Sequence, residues 1–251
     1  MKYSWLEYLT FLAKLEQNTI TRVELLRKAK EYELKDKPPP TLAEYMKLMT
    51  IPGIGESKAK ELVNNNINYE NINKHLQFLP HESQLFLKYK PITEIPKEIA
   101  QKIADKICKK YNTKFTKPVI SGSVRRCMAY SKDIDIIVIT ENSELPHELI
   151  PNNKLILSRG ENKMAFLVKY KQDYYKIDMY FTKSKNFPYM LLYLTGSKEF
   201  NIKMRAHAKS RGFLLNQNGL FRDGHLVNNK AKTEKDIFNL IGMKYIEPSE
   251  R

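Results

Sequence analysis

Apolar residues recur at helical spacing from the start of the chain: Trp5, Leu6, Leu9, Leu12 and Leu15 share one stripe, and Leu25 and Leu26 extend the pattern. Basic residues surround the stripe, so residues 1–37 predict a small helical packing element with a solvated face. Lys37-Pro38-Pro39-Pro40 then denies both helix and sheet hydrogen bonding and marks a stiff boundary. Thr41-Leu42-Ala43-Glu44 has the form of a capping box, with Thr41 as N-cap and Glu44 reaching back, and predicts a helix through about Leu48. Ile51-Pro52-Gly53-Ile54-Gly55 interrupts the pattern, and Ser57 to Asn64 resume it, giving helix, Gly-x-Gly turn, helix. A further helix is expected over Ile99 to Lys110.

The pattern changes near Thr113. Pro118-Val119-Ile120-Ser121 reads as a short strand, and Asp133 to Thr140 as a longer one rich in β-branched residues. Met164 to Tyr170 and Tyr174 to Phe181 predict two more strands joined by a turn around Lys171-Gln172-Asp173. Ser197 is placed to cap a helix that Gly212 ends. Turn signals at Asn218-Gly219 and Asp223-Gly224 divide a tail of short strands, and a last helix is expected from about Thr233 to Ile241. The fold class is therefore α+β.

Charge narrows the choice of partner. A formal net charge of +15 over 251 residues favours a polyanion. No apolar run approaches the roughly 20 residues of a spanning helix, so nucleic acid is favoured over a membrane. Met1-Lys2-Tyr3-Ser4-Trp5 lacks a secretory signal pattern, and an intracellular protein is expected. Cys108 and Cys127 match no zinc spacing and read as free thiols; His75, His81, His147 and His225 form no zinc pattern either.

The sharpest chemistry lies in Gly122-Ser123-Val124-Arg125-Arg126, then Asp133-x-Asp135, then Asp178. Residues i and i+2 of a strand project from one face, so Asp133 and Asp135 point together. Two such carboxylates repel, and a divalent cation removes the conflict; oxygen ligands of this kind suit Mg²⁺. If the strand bearing Asp178 lies beside the first, its carboxylate completes a two-metal site. Gly122 allows close backbone approach to a phosphate, Ser123 offers an N–H and a hydroxyl, and Arg126 can bind phosphate oxygens bidentately. In the first half, the helix after Gly55 presents free N–H groups suited to a phosphate, with Lys58 and Lys60 close by.

Gly-Ser, Asp-x-Asp and a distal Asp together form the signature of the nucleotidyltransferase superfamily. Tyr193-Leu194-Thr195-Gly196-Ser197, Phe200-Asn201 and Met204-Arg205-Ala206-His207-Ala208 resemble family X DNA polymerases of the polymerase beta type. So do Gly212-Phe213, Asn216, Asp236-Ile237-Phe238 and Tyr245 with Glu247-Pro248. Leu87-Lys88-Tyr89 and Ile95-Pro96-Lys97-Glu98 continue the likeness, which covers nearly everything after the proline run, and the ending resembles the compact viral members.

The resemblance implies a helical N-terminal element (1–37), a helix-hairpin-helix DNA-binding domain (41–112), a nucleotidyltransferase palm (113–185) and a C-terminal subdomain for the nucleotide and nascent base pair (186–251). It implies that Asp133 and Asp135 bind two Mg²⁺ ions, with Mn²⁺ able to substitute, and that Asp178 binds the catalytic ion and helps activate the primer 3′-OH. Gly122, Ser123, Arg126 and Lys97 fall at triphosphate positions. Tyr193 and Gly196 fall where the incoming sugar is contacted, and Asn201 and Arg205 on the minor-groove side of the new base pair. Gly53, Gly55 and Lys58 fall in the primer-gripping hairpin, and the carbonyls of Met49, Ile51 and Ile54 at a site for Na⁺ or K⁺. His207 reads as structural or DNA-facing rather than a metal ligand.

The implied activity is templated filling of short gaps in DNA repair by a monomer, acting on gapped or primer-template DNA and deoxynucleoside triphosphates at a nuclear or viral replication site. The competing readings are a template-independent nucleotidyltransferase and a non-catalytic DNA-binding protein. Four positions depart from the family: Leu194 replaces an aromatic, Lys198 an acidic residue, Ile202 a basic residue that packs on the template base, and Lys176 an arginine. Lys14, Lys28 and Lys30 lie on the solvated N-terminal face, where an amine stays protonated, so efficient 5′-deoxyribose-phosphate lyase activity is not expected.

Overall fold

The computed structural model describes residues 40–141, 155–227 and 231–251, together with Thr10 and Ala13. Almost all of the expected 1–37 element, and with it Lys14, Lys28 and Lys30, lies outside the described residues. The chain divides into two compact units, Met1–Lys90 and Pro91–Arg251.

In the first unit, helix α1 (Pro40–Leu48) and helix α2 (Glu56–Asn64) flank the Gly-x-Gly turn, and helix α3 (His81–Tyr89) follows two short 3-10 turns. The expected boundaries hold because the apolar periodicity is real: Tyr45 and Leu48 meet Ala59 and Leu62 across the turn residues Ile51 and Ile54, all buried. One local detail differs. Helix α1 begins at Pro40, so Thr41 lies inside it rather than at its N-cap, and the Glu44 carboxylate accepts from the Tyr69 N–H.

The second unit is built on a five-stranded mixed sheet. Its strands are β2 (Lys117–Ile120), β4 (Ile134–Ile139), β5 (Ile156–Arg159), β6 (Lys163–Tyr170) and β7 (Asp173–Thr182), in the order β2-β4-β7-β6-β5. All neighbours are antiparallel except β4 and β7, which run parallel. A two-residue pair, β1 (Ile95–Pro96) with β3 (Tyr130–Ser131), stands beside it. Helix α4 (Lys97–Tyr111) buries Ala100, Ile103, Ala104, Ile107 and Tyr111, the i, i+3, i+4, i+7 stripe of an amphipathic helix. That stripe packs on Ile134, Ile136, Val138, Ile177 and Met179, which alternate along β4 and β7.

This packing moves a boundary. The sequence reading groups residues 41–112 together, whereas the division falls between Lys90 and Pro91 and α4 belongs to the sheet. An amphipathic pattern fixes which face of a helix is buried but not against what.

Beyond the sheet lie α5 (Gly122–Arg125), α6 (Phe187–Thr195), α7 (Lys198–Ser210), a three-stranded sheet of β8 (Leu214–Asn216), β9 (Gly219–Arg222) and β10 (His225–Leu226), and α8 (Glu234–Leu240). Ser197 caps α7 as expected, its Oγ accepting from Phe200 N–H at 3.2 Å. Thr233 caps α8, in a capping box with Asp236. Gly196, at φ +66°, separates α6 from α7, so that Ser197 starts a new helix as its capping role requires. Phe200, Met204 and Ala208 join Phe238 and Ile241 in a second core.

Candidate active site

The sheet face opposite α4 carries the expected carboxylates. In the parallel register Asp135 lies opposite Asp178, and their neighbours Ile134, Ile136, Ile177 and Met179 point to the core. Asp133 precedes β4 by one residue. The turn Gly122–Ser123 starts α5 directly against Asp135: a β-carbon added to Gly122, at φ +61°, would fall 2.0 Å from Asp135 Oδ2. Only glycine lets the backbone approach the carboxylate this closely.

Gly122, Ser123, Arg126, Asp133 and Asp135 line one open cleft of about 310 Å³. Its wall is fixed by hydrogen bonds: Ser123 Oγ donates to Ser131 Oγ at 2.8 Å, and Ser131 is held in β3 opposite Ile95. Arg126 is partly committed. Its Nη1 donates to the Thr195 carbonyl, and burial pulls its pKa down against the opposing attraction of Asp135 and Glu199.

Burial is the main cause that raises the Asp135 pKa to about 7, with Asp133 and Asp178 adding to it and Lys163 and Lys176 opposing. Asp133 is also raised, first by burial and then by Asp178. Asp178 is 4% exposed; Lys163 Nζ sits 2.8 Å from its Oδ2 and Lys176 Nζ 3.4 Å from its Oδ1. Tyr180, two residues on, has its phenol pushed up by burial and by the three carboxylates. The carboxylates thus feel one another strongly, although no group of three ligating side chains is gathered on a single point among the described residues. The donor set fits a divalent cation: two hard oxygen ligands face each other in register, and Asp178 Oδ1 is buried without a hydrogen bond.

The remaining predicted residues distribute as follows. Lys97 is exposed at the start of α4, its N–H donating to Ala129 O at 3.0 Å next to the β1–β3 pair. Gly196 lies beside the Arg126 guanidinium. Asn201 Nδ2 donates to Tyr193 O at 2.7 Å, and those two share a small hollow with Arg205 rather than lining the carboxylate cleft. His207 Nε2 lies 3.0 Å from Ile241 O, a structural contact.

In the first unit, Gly53 takes φ +84° over Ser83, whose Oγ donates to Pro52 O at 2.7 Å. Gly55 caps α2 with open space around its α-carbon. Lys58 pairs with Glu61 at 2.7 Å. Of the three carbonyls expected to hold a monovalent cation, that of Ile51 accepts from Ile54 N–H, leaving its second lone pair; Met49 and Ile54 flank it.

Sequence reasoning missed a second polar cluster. Arg125 reaches Glu234 with Nη1–Oε1 3.0 Å and Nη2–Oε2 2.5 Å, and also contacts Thr195 Oγ1. Arg251 Nη1 reaches the same carboxylate at 2.7 Å and its guanidinium lies over Phe200, Phe238 and Tyr245. These cations hold Glu234 below the usual carboxylate range even though burial pushes the other way. The partners of Arg125 lie 70 and 109 residues away, which no local pattern encodes.

A mixed sheet with paired carboxylates, a Gly-Ser turn and a C-terminal α/β element is the architecture of a beta-type nucleotidyltransferase. Residues 190–251 match the DNA polymerase beta thumb family. The chain is 29% identical over 166 residues to the repair DNA polymerase X of African swine fever virus (Warthog/Namibia isolate), covering 62% of this chain and 95% of that one. It is 30% identical over 137 residues to the DNA polymerase/3′-5′ exonuclease PolX of Bacillus subtilis, covering 52% of this chain and 23% of that one. The fold superposes on Leishmania infantum polymerase beta, solved as a ternary P/T complex, with TM-score 0.73 and 22% identity over 84% of this chain and 99% of that one. In these respects the chain is similar to the family X DNA polymerases.

Proposed function

We propose that this protein is a DNA-directed DNA polymerase that fills short gaps during repair by metal-dependent nucleotidyl transfer. The observation that carries the reading is the register pairing of Asp135 with Asp178 on the sheet face that the Gly122–Ser123 turn abuts.

Asp133 and Asp135 would hold two Mg²⁺ ions and Asp178 the one nearer the primer. Bound there, divalent ions supply charge neutralisation for the phosphates and acidify the attacking hydroxyl. The chain's own groups do the rest. Asp178 orients the primer 3′-OH. Ser123 and the backbone at Gly122 hold the outgoing phosphates, with Arg126 fixing the cleft against Thr195 as it contacts them. Lys97 adds positive charge at the rim. Tyr193 and Gly196 define the space beside the sugar, and Asn201 and Arg205 meet the nascent pair.

The hairpin of the first unit grips the primer strand through Gly53, Gly55 and Lys58, with Na⁺ or K⁺ at the Met49, Ile51 and Ile54 carbonyls. Its substrates are gapped or primer-template DNA and deoxynucleoside triphosphates, which places it inside cells, and it acts as a monomer.

Primer extension with and without a template strand tests the reading. Incorporation that follows the template and vanishes in EDTA supports it; equal extension of a single strand would favour a terminal transferase instead.

A further inference from the structure

The Asp178 carboxylate is paired with two ammonium groups. Lys163 Nζ lies 2.8 Å from Oδ2, the two side chains being 43% and 6% exposed. Lys176 Nζ lies 3.4 Å from Oδ1, on a side chain only 21% exposed. The sheet itself brings Lys163 there. Lys163 opens β6 opposite Tyr180, its carbonyl accepting from Gly160 N–H at 2.8 Å. Opposed residues, and residues two apart on a strand, share a face, so Lys163, Tyr180 and Asp178 rise from the same side of the sheet. The Lys163 ammonium also lies 4.9 Å from the centre of the Tyr180 ring.

The same carboxylate is the one expected to hold a divalent cation beside the primer. A dication drawing on its oxygens meets like charge from both lysines, whose fields also reach Asp133 and Asp135. One ammonium has to give way, and exposure decides which. Lys163 has a flexible stem ending in a strongly hydrated charge, and nearly half of its side chain is already in water. Lys176 is the more enclosed of the two.

We propose that Lys163 competes with the divalent cation for Asp178: it holds the carboxylate until the cation displaces it, and so sets the cation concentration that the site requires. The inference rests on the reading of Asp178 as a metal ligand. The ammonium keeps its proton and moves into solvent, so the exchange is one of charge partners alone.

The test measures Mn²⁺ binding to the full chain, without DNA or nucleotide, from the loss of the free ion's paramagnetic resonance signal. Wild type is compared with Lys163→Met, Lys163→Arg and Asp178→Asn, each first shown by thermal melting to be folded, with Lys163→Gln standing in for Lys163→Met if that chain does not fold. Lys163→Met keeps the stem and removes the charge, and should bind Mn²⁺ about three- to tenfold more tightly, as for the loss of one partly exposed competing charge. Lys163→Arg keeps the charge and should bind as wild type does. Equal or weaker binding by Lys163→Met, or binding by Lys163→Arg as tight as that of Lys163→Met, would overturn the assignment. Asp178→Asn separates this from the reading beneath it. If Asp178→Asn binds more weakly while Lys163→Met is unchanged, the metal site stands and only the Lys163 assignment falls. If Asp178→Asn binds as wild type does, Asp178 is no ligand and both fall together.

Discussion

Asp135 sets folding against chemistry. Its folded-state pKa, raised from 3.8 to about 7, means that ionising it costs the metal-free protein stability. The sign follows from linkage: the unfolded chain releases this proton near 3.8, so stability falls as pH rises from there to about 7 and stays low above it. Asp135→Asn should therefore melt higher than wild type in EDTA at about pH 8, and the difference should shrink toward about pH 4. An equal or lower melting temperature at the higher pH would contradict the burial argument. Glu234 has the opposite character, because two arginines hold it ionised in a nearly closed pocket. Glu234→Gln leaves both cations short of a partner, and a loss of about 3–5 kcal/mol in denaturant unfolding is expected, as for any broken buried pair. A change under about 1 kcal/mol would place the cluster with exposed ion pairs. Legibility at this scale was uneven. The i, i+2 spacing of Asp133 and Asp135 shows in any strand read at period two, and Asp178 stands out as a carboxylate on a second predicted strand, whose place opposite Asp135 only the register supplies. Lys163, which sits 2.8 Å from Asp178, has no such signal, because the β6–β7 register sets their meeting.

At the scale of elements, the hairpin turn is fixed by one glycine more than by the other. Gly53 needs its positive φ and a bare α-carbon over Ser83, whereas Gly55 has an ordinary φ of −90° and open space. Gly53→Val should cost about 1–3 kcal/mol through backbone strain and weaken DNA binding, while Gly55→Ala should leave stability near wild type. Similar losses from both changes, read by urea melts and DNA titration, would show that the turn is not held as described. Most strands and helices were legible because the alternation along β4, β6 and β7 and the stripe of α4 are strong local signals. What was not legible is pairing. The parallel union of β4 with β7 and the packing of α4 on the sheet depend on contacts far apart in sequence.

For the whole molecule, the excess of cations is the dominant property, at +15 over 251 residues. DNA affinity should fall steeply with salt, by a slope of about −0.9 in log K against log salt for each phosphate neutralised, with little preference for sequence. A flat salt response would mean that the charge is not used for DNA. The central claim is that the paired carboxylates on the sheet perform templated nucleotide addition, and Asp178 is the residue on which it turns. The most direct measurement is single-turnover incorporation on a one-nucleotide-gapped duplex with Mg²⁺, comparing wild type with Asp178→Asn at saturating DNA. Wild type should add the nucleotide that the template base specifies. Asp178→Asn should bind the same duplex with similar affinity yet incorporate at least about 10²–10³-fold more slowly, the order expected when one charged group is lost from a transition-state site. Near-wild-type turnover by Asp178→Asn, or addition by wild type that ignores the template base, would contradict the account.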